Sequence, residues 1–166
     1  GYAPDSWDAF TNEALRQQYQ EEYLEELGLC GRSEKSGRLY DRFRGRVMFP
    51  ITDQVGKVVG FGGRVLTSEK TMAKYINSPE TPTYTKGDQL YGLDLAGDAI
   101  RREGFAVVVE GYLDLAALLQ AGFDQVVASL GTAFTPAQAR LLARYTDRVL
   151  VSYDGDAAGA PDLREG

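Results

Sequence analysis

The chain has 166 residues, is 43% hydrophobic and 25% charged, and carries a formal net charge of −6. That mix suits one soluble globular domain or two small subdomains and excludes a disordered or collagen-like chain; its apolar runs fall far short of the roughly 20 residues a membrane helix needs. With no histidine and one cysteine, Cys30, it excludes a Ser-His-Asp or Cys-His relay, an HExxH zinc site and an internal disulfide.

The first segment predicts one helix. Ser6 or Asp8 stands as its cap, and Phe10, Ala14, Leu15, Tyr19, Tyr23, Leu24 and Leu27 recur near helical spacing up to Gly28. Residues 1–36 carry net −5, and Glu21, Glu22, Glu25 and Glu26 read as a solvated face. From Arg46 the period changes. Residues 46–51 (RVMFPI) and 58–66 (VVGFGGRVL) predict a β-hairpin turning at Gly56. Residues 67–90 read as irregular, broken by Pro79, Pro82 and Gly87, and residues 90–103 as a helix ending at Gly104. Residues 37–104 carry net +3, so an acidic chain holds a basic middle. A phosphate backbone feels that local potential, not the net charge.

After Gly104 the rhythm is strand, helix, strand, helix, strand: residues 105–110, 112–122, 125–129, 135–145 and 148–154. Short loops between them argue for a parallel sheet with crossover helices. The expected fold class is therefore α/β. A mixed α+β N-terminal subdomain, residues 1–104, precedes a Rossmann-like parallel sheet in residues 105–166.

In such a sheet ligands bind beyond the C-terminal strand ends. The first strand ends at Glu110 before Gly111, and the third ends at Asp154, followed by Gly155 and Asp156. Three acids converging on one edge repel one another unless a cation sits among them, and hard Mg²⁺ suits oxygen donors. A metal there would stabilise phosphoryl or nucleotidyl transfer. The alternative is that these acids merely end strands at a solvated surface. Glu110 argues against it, because it directly follows four apolar residues.

The segments VVVEGYLDLAALLQAGF, VVASLGTAFT and VLVSYDGDAAG resemble the Toprim domain, whose hallmark is a Glu after strand one and a DxD after strand three. EGYLD resembles the bacterial DnaG-type primase branch. GYAPDSWD, YDRFRGRVMFPI, VVGFGGRVL, KYINSPET and KGDQLYGLDLA resemble the primase catalytic core, so the likeness runs from Gly1 to about Gly159. It implies a DNA-templated RNA polymerase that makes short primers from ribonucleoside triphosphates on single-stranded DNA.

The resemblance implies Glu110 as catalytic acid and metal ligand, and Asp154 and Asp156 as ligands of Mg²⁺ or Mn²⁺. Asp114 either belongs to that site or is an ordinary helix-surface carboxylate. Tyr112, Cys30 and Trp7 are expected to pack. The resemblance also implies that Arg42, Arg44, Arg46, Arg64, Lys74, Asn77 and Lys86 line a groove for template and nucleotide. The first three alternate on a run read as extended, which would point them to one face. Tyr40, Phe43, Tyr75 and Tyr84 either stack on bases or pack. Ser129, Gly131 and Thr132 stand near the same edge and either contact phosphate or form an uninvolved loop. Gly60, Gly62 and Gly63 read as strand glycines allowing close approach.

Whole primases of this type also have a zinc-binding domain and a helicase-interacting domain, so zinc and the replicative helicase are expected to belong to regions absent here. The chain does not begin with Met and is read as a piece of a longer cytoplasmic protein, with its Toprim part truncated. Two rivals remain: a Toprim nuclease, and an inactive fragment that only binds single strands.

Overall fold

The computed structural model describes residues 1–66, 72–131 and 133–153. The N-terminal part opens with β1 (Tyr2–Ala3), α1 (Ala9–Arg16) and α2 (Glu21–Glu26). The single predicted helix is thus two. Gln18 takes a left-handed φ of 65°, and the N–H groups of Gln18 and Tyr19 close back on the carbonyls of Leu15 and Ala14. That terminates α1 at Arg16, well before Gly28, where the apolar pattern would end it. The cap of α1 is also not local. Asp8 occupies the N-cap position without a capping hydrogen bond. The buried Asp41 carboxylate accepts instead from the Phe10 N–H (2.7 Å), the Thr11 N–H (2.9 Å) and the Thr11 hydroxyl (2.6 Å).

Asp41 ends β3 (Leu39–Asp41), which pairs antiparallel with β2 (Cys30–Arg32). Then β4 (Arg46–Thr52) and β5 (Val58–Val65) form the predicted hairpin. Its turn is held by the Asp53 carboxylate, which accepts from the Val55 and Lys57 N–H groups, and by Gly56 at φ 80°. A further strand, β6 (Tyr75–Asn77), pairs with residues 62–64 inside the stretch expected to be irregular. Three residues are too few to show an alternating pattern. The sheet order is β1-β4-β5-β6.

After β6 come α3 (Leu93–Glu103), β7 (Ala106–Val109), α4 (Tyr112–Gln120), β8 (Val126–Ala128), α5 (Pro136–Leu142) and β9 (Val149–Ser152). As expected, the three strands are parallel, in the order β8-β7-β9. Helix α5 starts at a capping box in which Thr135 and Gln138 bond each other's backbone N–H at 3.0 Å. One core joins Leu93, Ala96 and Ile100 of α3 to Ala106, Val108, Val127 and Leu142. A second joins Ile51 and Tyr84 to Val109, Tyr112, Leu115 and Leu130, so the two sheets share buried apolar surface. Among the described residues, no helix is long and apolar enough to cross a membrane.

Candidate active site

Strand β7 pairs Val109 with Ala128 on one side and with Ser152 on the other, so the three strands end level. Glu110 follows at this edge with its side chain exposed. Its carbonyl accepts from the N–H groups of Leu130 (3.0 Å) and Gly131 (3.3 Å). One turn into α4, Asp114 accepts from the Gly111 N–H at 3.1 Å, capping the helix. The two readings of Asp114 therefore coexist, for it also shares a cavity with Glu110.

That cavity, about 370 Å³, has two walls. Glu110, Gly111 and Asp114 form one, while Arg64, Lys74, Tyr75 and Asn77 form the other. Arg64 stands with its guanidinium 5.7 Å from the Tyr75 ring centroid, and its Nε is buried without a hydrogen-bond partner. Among the described residues neither Arg64 nor Lys74 takes part in an ion pair. Two cations outside every ion pair among the described residues thus line the same space as two carboxylates.

Arg42, Arg44, Arg46 and Lys86 do not line this cavity. The expected shared face of the three arginines is absent, because β3 stops at Asp41 and Gly45, at φ 59°, turns the chain before β4. Arg46 is 3% exposed and donates to the carbonyls of Gly63 (3.2 Å) and Lys74 (3.5 Å), a structural placement under the sheet. Burial pulls its pKa down, with Arg44 adding to the effect. Arg44 donates to the Asp41 carbonyl and lies 4.0 Å from the Trp7 ring centroid. Trp7 itself is 66% exposed, so it does not pack as expected but offers an open indole beside a cation. Lys86 begins a 3-10 turn (Lys86–Asp88), its N–H bonded to Glu80.

Phe43 and Tyr84 are buried and pack, whereas Tyr75 remains partly open at the cavity. Cys30 is buried beside Thr11, and Ser129 is buried with its hydroxyl accepting from Tyr153 at 2.7 Å. Gly131 lines the cavity. Asp154, Asp156 and Thr132 lie outside the described residues.

Tyr112 packs as expected, but it does more. Its ring stacks on Phe49 at 4.6 Å and meets Tyr91 edge-on at 4.7 Å. Its hydroxyl donates to Asn77 Oδ1 at 2.8 Å, and Asn77 Nδ2 donates to the Leu130 carbonyl at 3.4 Å. Sequence reasoning missed this link, since no periodicity reports which polar groups meet between elements far apart in the chain.

Residues 1–97 match the family model for the N-terminal domain of the DNA primase catalytic core. The chain belongs to the DNA primase catalytic-core family. Residues 107–162 match a Toprim-like model, so the expected resemblance holds in both halves. A DNA primase from Pasteurella multocida is 50% identical over 159 residues, which are 96% of this chain and 27% of that protein. The zinc-binding and RNA polymerase domains of Aquifex aeolicus primase superpose with a TM-score of 0.85 at 45% identity, over 96% of this chain and 38% of that one. A DnaG primase catalytic domain bound to single-stranded DNA superposes with a TM-score of 0.81 at 46% identity, over 96% and 49%. This primase-family chain thus spans about a quarter of its curated relative and carries the fold of the solved primase cores.

Proposed function

We propose that the protein containing this chain is a DNA primase, making short RNA primers on single-stranded DNA from ribonucleoside triphosphates. Residues 1–104 supply the cationic side of the site and residues 105–166 the carboxylate side. The observation that carries the reading is the cavity in which Arg64 and Lys74 face Glu110 and Asp114.

The donor set suits a hard divalent cation. The exposed carboxylate of Glu110 stands at the strand ends, outside every ion pair among the described residues. Glu110 with Asp154 and Asp156 would hold Mg²⁺ or Mn²⁺, and zinc has no soft ligand set here, with no histidine and Cys30 buried. Bound there, the metal would neutralise triphosphate charge and lower the pKa of an attacking 3′-hydroxyl.

The chain's own residues do the rest. Arg64 lines the cavity, and its guanidinium would bind phosphate oxygens bidentately. Lys74 adds a point charge on the same wall. Tyr75, partly exposed at the cavity, would offer its open side to a base. Asp114 fixes the start of α4 and keeps the turn after Glu110 closed. The single-stranded DNA in the related DnaG complex supports the same ligand class for this groove.

Nucleotide incorporation on a short single-stranded template, with the full-length protein and Mg²⁺, tests the proposal. Primer synthesis supports it. Cleavage of the labelled strand in place of synthesis would mean a Toprim nuclease, and binding with neither reaction would mean a strand-binding fragment.

A further inference from the structure

We infer that the Tyr112 hydroxyl and the Asn77 side-chain amide form a positioning relay that sets the Glu110 turn against the cationic wall. The inference rests on the proposed metal-bearing role of Glu110. It reassigns Asn77 from a ligand contact to a positioning residue.

The relay is a closed ring. The Tyr112 O–H donates to Asn77 Oδ1, Asn77 N–H donates to the Leu130 carbonyl, and the Leu130 N–H donates to the Glu110 carbonyl. The backbone from Glu110 through Gly111 to Tyr112 completes the circuit. Asn77 sits on β6, beside Lys74 and Tyr75, whereas Glu110 and Tyr112 bracket the start of α4. The ring therefore joins the two walls of one cavity through both ends of a single amide.

Two further observations support a positioning role. Leu130 is a non-glycine residue at φ 63° and 3% exposed. Such a conformation persists only where its surroundings over-determine it, and here the bonds through its N–H and its carbonyl both belong to the ring. Gly62 of β5 is the second. A Cβ there would lie 2.0 Å from the Tyr112 hydroxyl oxygen, so the strand leaves room for that oxygen. Packing alone would be met by phenylalanine, which needs no partner.

Tyr112→Phe, Asn77→Ala and the double variant in the full-length protein test the relay, with Glu110→Gln as reference. Free Mn²⁺ read by electron paramagnetic resonance gives metal affinity, and primer synthesis gives kcat and KM for nucleotide. Tyr112→Phe keeps the ring against Phe49 and Tyr91. It should weaken Mn²⁺ binding and lower kcat by about fivefold, the weight of one neutral hydrogen bond, while KM stays unchanged. Asn77→Ala should add little in the Tyr112→Phe background, because the two groups act as one unit. A melting temperature lowered in Tyr112→Phe with Mn²⁺ affinity and kcat intact would overturn the relay. So would additive losses in the double variant. If the wild type binds Mn²⁺ no better than Glu110→Gln, the metal reading of Glu110 fails and the relay with it. Mn²⁺ bound by wild type, lost in Glu110→Gln and unaltered in Tyr112→Phe would fail the relay alone.

Discussion

Gly62 of β5 and Tyr112 at the start of α4 are matched in shape. A Cβ built on Gly62 would stand 2.0 Å from the Tyr112 hydroxyl oxygen and 2.3 Å from the ring carbon that bears it. A buried tyrosine stacked on Phe49 and edge-on to Tyr91 cannot absorb such an overlap without moving α4 or β5.

Gly62→Ala should therefore destabilise the protein by roughly 1–3 kcal/mol, the usual cost of overpacking a dense core. Urea denaturation of the wild type and the variant checks this. Much of the loss should persist with Tyr112→Phe in the same chain, because the ring carbon 2.3 Å away remains. An absent loss would contradict the packing described here.

The cationic wall should be visible in salt dependence. Arg64→Ala and Lys74→Ala each remove a cavity-lining charge that has no protein counter-charge among the described residues. Each should lower the slope of log affinity against log salt for a short single strand by roughly 0.7, with sequence preference unaltered. Arg101→Ala, which removes a charge paired with Asp98 on α3, should leave the slope as it is. Unchanged slopes in Arg64→Ala and Lys74→Ala would remove both from the groove.

The strands of the second sheet were legible as short apolar runs between helical stretches, and the place of Glu110 because such a run ends at it before Gly111. The hairpin was legible by its alternation. The shared face of Arg42, Arg44 and Arg46 was not, because alternation was assumed through Gly45, where the chain turns. The cap of α1 comes from Asp41, some thirty residues downstream, a distance at which local capping rules say nothing. The Tyr112–Asn77 bond escaped for the same reason.

The buried tyrosines make stability alkaline-sensitive. Burial pushes the Tyr84 phenol up to about 12, with Glu80 adding to it. Burial is also the main cause raising Tyr91 and Tyr112 above the usual value of 10. A phenol with a raised folded pKa gives stability that is complete below pH 10 and is lost as pH climbs toward the folded value. Each such group contributes a slope of up to about 1.4 kcal/mol per pH unit in that window. Urea midpoints at pH 8, 10 and 11 should fall above pH 10, and less steeply in Tyr112→Phe. A flat profile across that window would contradict the burial.

Primer synthesis by the full-length protein, measured for wild type and Glu110→Gln on one single-stranded template with Mg²⁺, tests the central claim most directly. The wild type should incorporate ribonucleotides. Glu110→Gln should lose that incorporation, with circular dichroism and melting temperature preserved, because only a carboxylate at the strand edge is removed. Near-normal primer yield from the folded variant would contradict that claim.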